Sequence, residues 1–217
     1  MQSPAQKLFV TTALLIWGIG STISCISAQA RPSVQQLFQD LQSTKKTDRA
    51  EVQLLRIATS NEQAKRFLAS NLPALIEEDP TPTESDYQQG RWVRPVWRNS
   101  VQLAGELRIA AAVPALVKWF TVSTSPFIGL GIGEESLVDT PAGQALANIG
   151  DPSISSLQPL LSRQNLHERY HAAYVLLSIN SPKADTVLRD YVGHGQDRDL
   201  ADFINNRLGV RDANKPN

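Results

Sequence analysis

The chain has 217 residues, 41% of them hydrophobic, with 21 basic and 21 acidic side chains that cancel to a formal net charge of zero. That length suffices for one domain with a sizeable core, and the balanced charge excludes a field of one sign able to draw nucleic acid or an anionic membrane. A single cysteine, Cys25, excludes an internal disulfide.

The first thirty residues read as a targeting segment. Lys7 precedes an apolar run over residues 8–20, and a more polar stretch follows that ends Ala28-Gln29-Ala30. A basic start, a short apolar run and small residues at −3 and −1 are the pattern of a secretory signal peptide, here cleaved after Ala30. The run falls short of the ~20 residues that span a bilayer. The expectation is an exported chain, periplasmic or secreted, with no membrane span and no cysteine after cleavage. The alternative is a lipid anchor through Cys25, although Thr22-Ile23-Ser24 lacks the leucine usual three places ahead of such a cysteine. Cleavage would remove Lys7 and no acidic residue, leaving a net charge of −1.

From Ser33 the pattern is helical. Val34, Leu37 and Leu41 share one face of a first helix; Val52, Leu55 and Ala58, or Leu54 with Ile57, mark a second; Ala64, Phe67, Leu68, Leu72, Leu75 and Ile76 mark a third. Residues 77–90 break every period and predict an exposed loop, the core of an insertion over 77–96. Trp97, Val101, Ala104 and Leu107 restart the stripe, and Val113, Leu116 and Trp119 form its partner helix. A second insertion, 121–141, is long for a loop in a compact domain, and such loops are usually functional or disordered. Its apolar, glycine-punctuated centre, which includes Phe127 and Leu130, predicts packing against something. Helices over 142–149, 153–161, 166–179, 183–191 and 199–208 follow, with Gly209 as the last stop and a frayed tail over 210–217. Asp151-Pro152 and Ser181-Pro182 each set an N-cap acceptor before a proline at the first helical position.

Residues 103–120, 145–162 and 175–192 align with one another as helix end, turn and helix start. Recurring units of this kind predict an all-α solenoid of stacked helical hairpins, about four helix pairs over residues 31–209. The units resemble HEAT repeats, especially the short bacterial type of phycobilisome-lyase-like proteins. Ile149-Gly150-Asp151-Pro152 matches that pattern's turn, and Arg169, Ala172, Ala173, Leu176 and Ile179 match the first helix of the next unit. The match is good over 97–192 and poor over 33–90. The resemblance implies a rigid surface that binds proteins, and a structural polar ladder that uses Asp151 and Arg169.

His167-Glu168-Arg169-Tyr170-His171 spells H-E-x-x-H, in which two histidines hold zinc and the glutamate serves as general base. On a wheel of about 100° per residue the two histidines lie within roughly 40° of each other, opposite Leu176. The expectation is therefore a polar, solvent-facing pair; a metal site is the alternative, completed by His194 or an aspartate. A second cluster, Arg91, Trp92, Arg94, Trp97 and Arg98, has the composition of a binding hot spot. Its structural alternative puts Trp97 in the helix stripe and Trp92 as a plug. No phosphate cradle or nucleophile elbow is present. The reading is a non-catalytic interaction module without cofactor, its partner another envelope or secreted protein. Its candidate residues are Arg91, Trp92, Arg94, Trp97, Arg98, Phe127 and Leu130; the alternative is a zinc-dependent hydrolase.

Overall fold

Side-chain caps and prolines start most of the helices. In a computed structural model, which describes residues 32–124, 139–194 and 197–213, Ser33 caps α1 (Val34–Leu41) by accepting from the Gln36 amide at 3.1 Å. After α2 (Thr47–Ser60), Asn61 caps α3 (Glu62–Glu77) in the same way. Pro95, Pro141 and Pro182 occupy first positions of α5 (Pro95–Glu106), α7 (Pro141–Ile149) and α10 (Pro182–His194), where a missing amide costs nothing. The remaining helices are α4 (Glu84–Gln88), α6 (Val113–Lys118), α8 (Ile154–Leu157), α9 (Leu166–Ile179) and α11 (Arg198–Ala213). No helix among the described residues is long and apolar enough to cross a membrane.

The helices pack in two rows. One runs α2, α5, α7, α9, α11, each against the next, and the other runs α3, α6, α8. α1 closes the start of the first row against α2. One continuous apolar cluster extends from Leu37 to Leu208, so every unit buries its stripe by stacking on a neighbour. The fold is all-α, built of four successive helix–turn–helix units with α1 and α11 at the ends.

The aligned turns share their backbone as well as their sequence. Arg108, Gly150 and Asn180 stand at the same place in the three units, and all three have positive φ (52°, 83° and 51°). That conformation ends a helix sharply; glycine takes it freely and asparagine more readily than most residues. The last two turns are joined directly, the Ser181 hydroxyl donating to Asp151. The polar ladder therefore runs turn to turn. Arg169 is not part of it: its guanidinium pairs with Asp197 at 2.8 Å, tying α9 to the start of α11.

Several expectations need correction. Residues 77–90 are not all loop, because Thr83 and Asp86 form a capping box that nucleates α4. On α2 the buried stripe is Ala50, Leu54 and Ala58, while Val52 is exposed. The partner helix after Asp151 is a short α-helix between two 3-10 segments, Asp151–Ser153 and Gln158–Ser162, the second at Pro159, which has no amide to continue α8. Gly209 does not stop α11, which continues to Ala213; an exposed glycine costs a helix only about 1 kcal/mol. The predicted signal segment, Cys25 included, and the insertion residues Phe127 and Leu130 lie outside the described residues. The insertion's two ends meet, with the Thr124 amide donating to the Asp139 carbonyl at 2.8 Å.

Candidate functional site

The Trp/Arg segment is drawn into the structure and does not form one surface. Trp97 is 1% exposed, and its indole N–H donates to the Ile76 carbonyl across α3 and α5 at 3.1 Å. Its stripe position on α5 decides this, since the first row is covered by the second. Trp92 is 42% exposed and meets Tyr87 edge-on at 5.5 Å. The arginines are each paired: Arg91 with Asp86 at 3.6 Å, Arg94 with Glu78 at 3.2 Å and Arg98 with Asp48 at 3.5 Å. The Thr83 hydroxyl bond to Asp86 holds that carboxyl below the usual carboxylate range. Residues 78–94 thus form a clasp closed on itself by the Arg91–Asp86 and Arg94–Glu78 pairs, and of these arginines Arg98 lines the open face of the first row.

The H-E-x-x-H histidines differ from the expectation. His167 is exposed, but His171 is 1% exposed, with Nε2 3.1 Å from the Thr140 hydroxyl and its ring edge-on to Phe120. The wheel failed because it assumes one buried face. α9 is packed by α7 and α11 within its own row and by α10 and the Gln158–Ser162 segment on its other side. Glu168 accepts from Arg163 at 3.0 Å and lies beside Asn165, at the helix start. Among the described residues no three His, Cys, Asp or Glu side chains converge to hold a metal ion.

What the row does present, among the described residues, is a groove between α5 and α7, beside Thr124 and Pro141 at the ends of the insertion. It encloses about 310 Å³ and is lined by Arg98, Gln102 and Glu106 on α5, Gln144 and Asn148 on α7, and Thr124. Its floor is Gly105 and Ala145. A Cβ on Gly105 would lie 2.8 Å from the Ala145 Cα, so the helices touch backbone to backbone here. Small residues let the axes approach and leave the longer side chains standing as walls. Gln144 donates to Asn148 at 3.0 Å, which orders that wall. Apart from Arg98 these residues escaped the sequence reading. The available signal was spacing: 98, 102 and 106, with 144 and 148, recur every four residues, the step of one helix face.

Glu51, on α2 next to this face, is 9% exposed. Burial pushes its carboxyl up; Arg98 opposes this, and Asp48 and Glu106 reinforce it. An acid raised in the folded state contributes stability that is complete below its unfolded value and lost as pH rises through its folded one. Glu51→Gln should therefore raise the melting temperature at pH 7 relative to the native chain, with the gap closing as pH falls toward 4.5, the unshifted value. Thermal melts at pH 4, 5.5 and 7 measure it; a gap that does not change with pH would contradict it.

No family model matches the chain. No curated protein matches it either. Solved structures similar to it include an engineered protein, at 19% identity and a TM-score of 0.39 over 82% of this chain and 78% of that one. Another is the complex of CpcE and CpcF of phycocyanin lyase from Nostoc sp. PCC7120, at 19% identity and a TM-score of 0.34 over 92% of this chain and 81% of that one. Neither likeness bears on function.

Proposed function

We propose that this chain is an exported, non-catalytic interaction module that takes a segment of another envelope or secreted protein on the face formed by α2, α5 and α7. The observation that carries the reading is the groove: among the described residues, a furrow with a floor of Gly105 and Ala145 and walls of hydrogen-bonding side chains. Stacked helices hold those walls rigid before any partner arrives, which lowers the ordering cost of binding. The zinc-hydrolase reading loses support because His171 is buried on Thr140 and Glu168 is held by Arg163.

A photo-cross-linking amino acid at Gln102, in the full chain expressed in its source cells, tests this. The expected result is a discrete cross-linked protein that is missing when the probe sits at Ser155, exposed on the other row. The same bands from both positions, or none from Gln102, would reject the proposal.

A further inference from the structure

We infer that the groove between α5 and α7 selects by charge order: it takes an extended segment of the partner with an acidic and a basic side chain about four residues apart, the acid seated at Arg98 and the base at Glu106. This names the partner chemistry of the interaction reading above and rests on it.

The two ends of the groove give the first argument. Among the described residues, the ionisable side chains that line it are Arg98 and Glu106, of opposite sign. They lie about 12 Å apart along α5 at 1.5 Å per residue. An extended chain rises about 3.4 Å per residue and returns its side chains to one face at every second position. Residues four apart therefore face the same way at about 13 Å, which matches the two poles. Opposite charges at fixed separation set the register of a segment and disfavour one whose order is reversed.

Unspent bonding capacity gives the second. The Glu106 carboxylate is exposed, and among the described residues no hydrogen bond or ion pair reaches it. Arg98 donates through Nε to the Asn99 carboxamide oxygen at 3.3 Å and through Nη2 to Asp48 at 3.5 Å. A guanidinium has five N–H donors, so Nη1 keeps both of its own for an incoming carboxylate. The Asp48 pair is exposed at both side chains, a setting worth at most about 1 kcal/mol, so it does not outcompete a ligand.

Between the poles the lining is neutral. Gln102 stands midway from Arg98 to Glu106, and Gln144 and Asn148 line the groove from α7. Each combines donors with an acceptor, the complement of the amides of an extended backbone. The floor of Gly105 and Ala145 has no long side chain to hold that backbone away.

Phage-displayed random nonapeptides selected on the immobilised full chain provide the test. They are selected in parallel on Arg98→Gln, on Glu106→Gln and on the exchanged variant Arg98→Glu/Glu106→Arg, with a thermal melt of each chain to check folding. On the native chain, acidic and basic residues four apart should be enriched together about threefold, in one order along the peptide, with the enrichment shrinking in high salt. Arg98→Gln should lose the acidic preference alone and Glu106→Gln the basic one alone, and the exchanged variant should invert the order. If the exchanged chain does not fold, the two single variants decide. Absence of the pairing on the native chain, or the same pairing on every variant, overturns the inference. The Gln102 cross-link separates the two claims. A partner captured there through a stretch without the charge pair overturns the charge order and leaves the interaction reading standing, whereas failure of the cross-link removes both.

Discussion

Trp97→Ala should destabilise the chain by about 3–5 kcal/mol, the range for removing a large buried ring. The indole is 1% exposed where α5 meets α3, and its truncation leaves a cavity at the centre of the stack. At roughly 2–4 °C per kcal/mol for a domain of this size, the melting temperature should fall by about 10 °C. Trp97→Phe separates the two contributions. It keeps most of the ring volume but removes the donor to the Ile76 carbonyl, which should cost about 1–3 kcal/mol. Urea titration of both variants reads these numbers. A Trp97→Ala chain as stable as the native one would contradict the burial of Trp97 between α5 and α3.

The second large effect is expected at Gly105. A Cβ there would meet the Ala145 Cα at 2.8 Å and its Cβ at 3.0 Å, contacts that side chains do not tolerate. Gly105→Val should cost about 3 kcal/mol through forced separation of α5 and α7. Gly105→Ala should cost less, because alanine recovers up to about 1 kcal/mol of helix propensity. Since the nearest atom is backbone, Ala145→Gly should rescue neither variant fully. Complete rescue in the double variant would mean that the side chain, and not the backbone, sets the approach. The same substitutions raise the groove floor, so the Gln102 cross-link should weaken on Gly105→Ala even where the fold survives.

The clasp, the groove and the buried histidine were unequally legible. Stripe positions such as Leu68, Leu72, Ile76, Trp97 and Leu116 were evident from helical period and are buried. The Thr83–Asp86 capping box was also present in the sequence as Thr83-Glu84-Ser85-Asp86, but turn-forming residues around it masked the one-turn helix. The repeat pattern places Arg169 in the ladder, while its actual partner Asp197 comes from a segment outside the aligned units. The groove could not be read from motifs, because glutamine and asparagine carry no signature chemistry and acquire meaning only when two helices place them on facing walls.

By itself the sequence determined the class and the repeat: apolar residues at helical spacing, capped or proline-started helices, and a turn that recurs at the same place in three aligned segments. These are local properties, settled by side-chain volume and backbone sterics within a few residues. Which faces remain open was decided only by tertiary structure. A periodic stripe specifies one buried face per helix, but α9 is enclosed on several sides and takes His171 into the core, while among the described residues α5 and α7 keep one side uncovered. Burial on the remaining faces depends on neighbours distant in sequence, and so does the chemistry left exposed.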